Sequence, residues 1–284
     1  MINKDLSPLV TIGIPFYKDA QYLRYAIQSV RNQTYSNWEL ILIDDGSTDG
    51  SLDIANSFRD SRIKVVSDGA NKGLPARLNE IVALANGDYV ARMDADDIMT
   101  IDRIERQVSY LQLHPEIDVV GSSAMVIDDK NCITHSVNQE GITGGFIHPT
   151  IMGRTSWFKD NPYNECQRRC QDYELWLRTI GKSVFYNMPE PLLFYREFET
   201  LSLKKQLAAH HALMPVFSNY QKYGRSVLWC LKKKASSYIK LTIYYFFDLL
   251  GKMEVLNKWR WHRELPSNCL LSEDDLQKSI NIIF

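Results

Sequence analysis

Cysteine is scarce in this chain. There are five in 284 residues, an odd number, and Cys166 and Cys170 have no second cysteine pair or histidine cluster beside them. That excludes a disulfide scaffold and a structural zinc site, and reduced cytoplasmic thiols are the expectation. Net charge is lacking too: 33 Lys and Arg stand against 34 Asp and Glu. The chain therefore has no global attraction to nucleic acid. No apolar run approaches the ~20 residues that span a bilayer. The longest late one, 241–247, is bounded by Lys240 and Asp248. Asn3, Lys4 and Asp5 sit where a signal peptide would begin, and Pro15 interrupts the first apolar run. Neither secretion nor membrane insertion is expected. No Gly-x-Gly-x-x-Gly follows the first strand and no P-loop is present, which argues against a NAD-dependent enzyme and against P-loop chemistry. What is present is an ordinary globular composition, 45% hydrophobic and 24% charged, long enough for one large domain or two modest ones.

Strand and helix signals alternate from the start. Val10 to Pro15 predicts a buried strand, and Tyr22, Leu23, Ala26, Ile27 and Val30 recur at helical spacing. Leu40 to Ile43 is a second strand, ending in the polar, Gly-rich loop Asp44 to Gly50. Leu52, Ala55 and Phe58 suggest a short helix, Ile63 to Val66 a third strand, and Ala76 to Ala85 a third helix. Tyr89 to Met93 is a fourth strand, running into Asp94-Ala95-Asp96-Asp97. A helix over about 102–113 and a fifth strand over 119–127 follow. This order predicts an α/β fold with a mostly parallel central sheet flanked by helices. Ligands of such sheets bind outside the carboxyl ends of the strands, and both acidic clusters, Asp44/Asp45 and Asp94/Asp96/Asp97, fall there.

Asp94-x-Asp96 is the sharpest local feature. Two carboxylates one residue apart at a strand end suit a hard divalent cation, which takes oxygen ligands and substrate phosphates. The same pattern also fits a solvated acidic turn that caps the next helix. Lys72 and Arg77 lie between the two acidic clusters; an Arg with a metal would neutralise a diphosphate, and an exposed helix residue is the plainer reading of Arg77.

The ordered set of motifs resembles the family 2 glycosyltransferases of GT-A fold. It comprises Val10 to Tyr17, Ala26 to Tyr35, Glu39 to Asp49, Asn71 to Arg77, Ala85 to Asp97, Ile147 to Met152, Asp172 to Arg178 and Pro189 to Arg196. The resemblance covers about 8–200 and implies a catalytic domain over 1–200, with a nucleotide-binding half near 8–127 and an acceptor half near 128–200. A helical, basic C-terminal extension over 201–284 follows it. The resemblance implies that Pro15, Tyr17, Asp44 and Asp45 hold the nucleotide of a UDP-sugar, with Asp45 accepting the uracil N3–H. It implies Arg77 near the diphosphate, Asp94 against the ribose or sugar, and Asp96 on Mn²⁺ or Mg²⁺, with Asp94 a second candidate ligand. His148 is implied near the phosphates or acceptor, and Asp172 as catalytic base.

The role of Asp172 also has its own chemistry. A sugar hydroxyl is a poor nucleophile, and a carboxylate that takes its proton contributes roughly 10²–10⁴-fold. Leu175, Trp176, Leu177 and Ile180 continue a helix behind it, and an acid in a first helical turn stays ionised, as a base must. A single displacement inverts the anomeric centre and gives a β-glycoside. Gln171 stands where the family has Glu, Asn161 to Glu165 replaces its Gly-Gly-Tyr-Asp-like run, and no Gln-x-x-Arg-Trp follows. The last absence predicts one sugar per acceptor. Trp157 and Trp176 are candidate sugar platforms, Trp176 reading as core first because it sits on an apolar helix stripe, and Cys166 and Cys170 read as incidental. A sugar-phosphate nucleotidyltransferase is disfavoured, since Pro15 to Ala20 is not a Gly-rich phosphate loop. A decayed domain that only binds sugar nucleotide or glycan is the rival of another class.

Charge is segregated at the end. Between Lys222 and Arg263, ten Lys or Arg face two acids, beside Tyr238, Tyr244, Tyr245, Phe246, Phe247, Trp259 and Trp261. Basic residues among aromatics suit an interfacial helix on an anionic membrane, and equally a helical subdomain. The expected partners are a UDP-sugar, with glucose or galactose, and a glycan or polyprenyl-diphosphate-linked acceptor in O-antigen or capsule assembly. No nucleic acid is expected, and 222–263 provides peripheral contact with the inner face of the plasma membrane.

Overall fold

The computed structural model describes residues 7–138, 140–141, 145–197, 202–256 and 271–281. Its first half runs β1 (Val10–Phe16), α1 (Leu23–Arg31), β2 (Trp38–Asp44), α2 (Ser51–Ser57), β3 (Ile63–Ser67), α3 (Leu74–Leu84) and β4 (Tyr89–Arg92). These are the elements that the apolar spacing predicts. β2 is apolar from Leu40 to Ile43 because helices cover both faces of that stretch. Leu40 and Leu42 share a core with Leu23 and Ile27 of α1, while Ile41 and Ile43 share another with Leu78 and Ile81 of α3. Gly13 lets α3 come this close: a Cβ there would lie 2.5 Å from Ile81 Cγ2.

The second half runs β5 (Ile98–Met99), α4 (Arg103–Leu113), β6 (Val119–Ile127), β7 (Ile133–Val137), a 3₁₀ turn (His148–Thr150), β8 (Met152–Arg154), α5 (Thr155–Asp160), α6 (Gln171–Thr179) and β9 (Phe185–Arg196). The strand at 119–127 is thus sixth, the two-residue β5 preceding it. Sheet order is β3-β2-β1-β4-β8-β6-β9-β5, with β7 on β6. The first four strands in that order are parallel. β8 then enters antiparallel to both β4 and β6, so the sheet is mixed beyond the parallel half. The described residues between β6 and β8 form no crossover helix, and without one the returning strand runs antiparallel. β9 carries Pro189 and Pro191, which donate no N–H, and its ladder with β6 shifts register beside Ser123.

After β9 come α7 (Leu203–Ser218), a 3₁₀ turn (Tyr220–Tyr223), α8 (Val227–Leu249) and α9 (Glu273–Ile280). α7 and α8 lie against each other, with His210 Nδ1 2.8 Å from Ser237 Oγ and Phe217 edge-on to Trp229. α9 instead returns to the sheet-bearing body. Its Leu276 is buried with Ile98, Met125, Ile127 and Phe194, and Asn32 Nδ2 donates to the carbonyls of Ser279 (2.9 Å) and Asn281 (2.7 Å). The chain after 200 is therefore not one block. Trp259 to Arg263 lie outside the described residues. No described helix is long and apolar enough to cross a membrane.

Candidate functional site

The carboxyl ends of β1, β2 and β4 deliver Pro15 and Tyr17, Asp44 and Asp45, and Asp94 and Asp96 to one edge of the sheet. Pro15 is tolerated inside a central strand because the β1–β4 ladder stops at Gly13, leaving that side without an acceptor for it. Tyr17 is exposed just past β1, where its backbone N–H donates to Asp19 Oδ2 at 2.9 Å.

Asp44 and Asp45 behave differently from each other. Asp44 is buried and turned inward, accepting from Ser47 N (2.9 Å) and Ser67 Oγ (2.8 Å). It latches the loop after β2, with one hydrogen bond accepted on each oxygen. Asp45 accepts from the backbone N–H groups of Lys72 (2.8 Å) and Gly73 (3.1 Å) and from Arg77 Nε (2.9 Å). Most of these bonds fall on Oδ1; Oδ2 receives only a shared one from Gly73.

Arg77 is buried, not exposed on its helix. Its side chain is 1% exposed. Nε goes to Asp45, Nη1 to Glu80 (2.7 Å) and Asp68 (3.2 Å), and Nη2 to Asp68 (2.6 Å) and the Ala70 carbonyl (2.5 Å). A guanidinium has five N–H donors, and all five are engaged inside the protein. Arg77 fastens the loop before α3 to Asp45 and has no donor left for a diphosphate.

Asp94, Asp96 and Asp97 bring one carboxylate oxygen each to within 4.8 Å of one another. Burial and the neighbouring Asp94 and Asp19 push Asp96 up to about 7. Burial pushes Asp19 up to about 6, although the Tyr17 N–H opposes it. Asp97, fully buried, is raised well above the usual carboxylate range, first by burial and then by Asp96. Its Oδ1 accepts from Arg196 N (2.8 Å), while Oδ2 has no partner among the described residues. Crowded oxygens that resist sharing negative charge, one of them unpaired, fit a hard divalent cation.

Across this edge opens a cavity of about 540 Å³ that brings Asp94, His148 and Asp172 together with Arg92, Gln171 and Tyr195. Asp172 is on the first turn of α6, behind Cys170 in a left-handed conformation (φ +54°). Among the described residues its carboxylate takes no hydrogen bond. His148 is buried with Nε2 2.8 Å from Tyr163 Oη. Burial first, and then Arg92, hold His148 well below the usual imidazole range, so it is neutral. Trp157 and Trp176 are core, packed with Phe185. Pro15, Tyr17, Asp44, Asp45, Arg77 and Asp96 do not line this cavity.

Arg92 escaped the sequence reading. It is buried at the end of β4 with Nη2 bonded to Asp94 Oδ1, while Nε and Nη1 lack partners among the described residues. A signal was present: strand side chains alternate, so Arg92 shares a face with Asp94, and an Arg inside an otherwise apolar strand calls for a reason.

Residues 11–170 match the model of the family described as glycosyl transferase family 2. EpsE of Bacillus subtilis (strain 168), a glycosyltransferase by name, is 38% identical over 67% of this chain and 73% of its own length. WfgD of Escherichia coli, a UDP-Glc:alpha-D-GlcNAc-diphosphoundecaprenol beta-1,3-glucosyltransferase, is 30% identical over 61% of this chain and 70% of its own. Among solved structures, S. aureus TarS 1–349 in complex with UDP-GlcNAc aligns with a TM-score of 0.62 at 15% identity, covering 96% of this chain and 81% of that one. The mannosyltransferase PcManGT from Pyrobaculum calidifontis, in complex with GDP-Man and Mn²⁺, aligns at 0.60 and 16% identity, covering 95% and 80%.

Proposed function

This chain belongs to glycosyl transferase family 2 and has the GT-A fold, and from that premise we propose that it transfers a hexose, glucose or galactose, from a UDP-sugar to a lipid-linked saccharide with inversion. The observation that carries this reading is a single cavity in which Asp172, a carboxylate without a hydrogen-bond partner among the described residues, faces Asp94 and the neutral His148. Asp172 takes the proton of the acceptor hydroxyl as the oxygen attacks the anomeric carbon, and the diphosphate leaves from the opposite side. The product is a β-glycoside. Asp45, held by Arg77 and two backbone amides, accepts the uracil N3–H through Oδ2, with Pro15 and Tyr17 bordering the base. Asp96 and Asp94 would hold Mn²⁺ or Mg²⁺, which neutralises the leaving diphosphate when bound. Arg92, rather than Arg77, is the cation at that wall of the cavity. His148, fixed by Tyr163, contributes a hydrogen bond and no charge.

The acceptor assignment draws on WfgD, whose name specifies a diphosphoundecaprenol-linked acceptor. The chain then works at a bilayer surface, in peripheral contact through 222–263, in assembly of a surface polysaccharide such as an O-antigen. The test is UDP binding and donor hydrolysis across a panel of nucleotide sugars, with Mn²⁺ and with EDTA. Metal-dependent preference for one UDP-hexose supports the reading. Preference for a GDP-sugar overturns the donor, and no nucleotide binding at all points to a decayed domain.

A further inference from the structure

α8 turns only one side toward the protein. Cys230 and Tyr244 are its buried residues, and His210 of α7 meets Ser237 on the same side. The opposite side is apolar and open. Leu228, Leu231, Tyr238, Ile239, Phe246 and Leu249 are each 55–72% exposed. With Ala235 and Thr242 they recur every three or four residues, so they form one stripe along a helix of 23 residues, about 34 Å long. A monomeric surface rarely exposes so continuous an apolar row without a partner. Lys232 and Lys234 stand on the two flanks of the stripe and Lys233 on the side toward α6, and none pairs with a carboxylate among the described residues.

On the other side of α8, between it and α6, lies a groove of about 210 Å³ lined by Tyr173, Leu177, Ile180, Arg225, Trp229 and Lys233. Its cations rest on rings: Lys233 Nζ is 6.0 Å from the Tyr173 centroid and 5.9 Å from that of Trp229, and Arg225 is 6.0 Å from Trp229. Arg225 Nε is buried and has no partner among the described residues.

We propose that the outer face of α8 docks in the plane of an anionic lipid bilayer, with the Arg225–Lys233 groove at headgroup level. An interfacial helix sinks its apolar face about 5–10 Å and leaves its lysines among the phosphates. A second copy of the chain would bring the same basic flank with it, whereas an anionic bilayer supplies the missing counter-charge. The face is also tied to the site. α6 turns Tyr173 and Leu177 to the groove and Asp172 to the cavity. Glu174 accepts from Tyr223 Oη (3.2 Å), Tyr173 stacks edge-on with Phe217, and Gln167 Nε2 donates to the Ala212 carbonyl (2.8 Å). Docking therefore fixes the height of Asp172 above the lipid surface, where a lipid-linked acceptor would present its sugar. That last step rests on the glycosyl-transfer reading; the docking itself does not.

The experiment is sedimentation of the full chain with phosphatidylcholine vesicles, with and without phosphatidylglycerol, at low and high salt, beside its mass in buffer alone. The expected result is salt-sensitive binding that needs phosphatidylglycerol. It falls at least tenfold in L231E/F246E and in K232E/K233E, while UDP binding is unchanged and the helical circular dichroism is retained. Absence of vesicle binding overturns the proposal, as does equal binding to uncharged vesicles. A dimer in buffer that L231E/F246E converts to monomer overturns it in favour of self-association. Loss of transfer to a vesicle-borne acceptor, with transfer to a water-soluble one retained, extends the proposal to catalysis. If neither acceptor is glycosylated by wild type, the transferase reading fails while the vesicle result stands.

Discussion

Replacing Arg77 by Met tests whether this residue is a fastener or a substrate ligand. The substitution keeps the aliphatic stem and deletes five hydrogen bonds. Their contributions are unequal. Asp68 and Glu80 are 39% and 33% exposed; they can turn to water, so losing them adds little. Asp45 is 10% exposed and is left as a buried carboxylate without its cation. Removing one partner of a buried pair costs about 3–5 kcal/mol. The two backbone amides that still serve Asp45 place the loss at the low end of that range, so the sum is about 3–4 kcal/mol. Urea unfolding followed by tryptophan fluorescence should show a lower midpoint at unchanged slope. D45N/R77M should be more stable than the two single losses added together, because the stranded charge is gone. UDP affinity should fall about tenfold in R77M, the 1.4 kcal/mol of one loosened contact. A loss under 1 kcal/mol, strict additivity in the double variant, or a collapse of UDP binding at full stability would each refute the fastener and return Arg77 to the diphosphate.

Three further outcomes are expected. D172N should lower turnover by roughly 10²–10⁴-fold and leave UDP binding within twofold; near wild-type transfer would mean that Asp172 is not the base. Asp19 and Asp96 are pushed up to about 6 and about 7, so the folded chain holds more protons than the unfolded one across a window opening near the ordinary carboxylate value of about 4. Stability in EDTA should therefore fall as pH rises from about 4 to about 7; Mn²⁺ should cancel that fall, and thermal melts with each would show it, whereas D96A should lose the Mn²⁺ effect. Gly87→Ala places a Cβ 2.6 Å from Thr11 N and 2.7 Å from Leu9 O, so backbone must move; a loss of about 1–3 kcal/mol is expected in the same urea assay, with UDP affinity preserved.

The parallel half of the sheet was legible because β1, β2 and β4 are buried runs of apolar residues and the helices between them carry apolar residues at three- and four-residue spacing. β5 and β8 were not, for two or three residues have no period to read. They exist because β9, β4 and β6 offer them ladders. The same limit explains the site. Asp94, His148 and Asp172 could be picked out by residue type and place, and they do share a cavity. Which acids turn into the protein as latches could not be picked out. Asp44 and Asp45 are adjacent in sequence, yet Ser67 turns one inward and Arg77 holds the other. Arg77 has its acceptors seven, nine and thirty-two residues before it and three after it. Spacing alone does not reveal that all its donors are engaged.

The return of α9 to α1 has a consequence for how the molecule is assembled from parts. Leu276 and the Asn32 contacts anchor the chain beside the first helix, while β9 anchors it in the sheet. α7 and α8 leave and rejoin the body between these two moorings, like a handle riveted at both ends. A handle of that kind can be exchanged, lengthened or re-tipped while the grip on the body stays the same. Any such change must still keep the contacts of α7 and its following turn with the segment that carries Asp172: Gln167 to Ala212, Tyr173 to Phe217 and Glu174 to Tyr223.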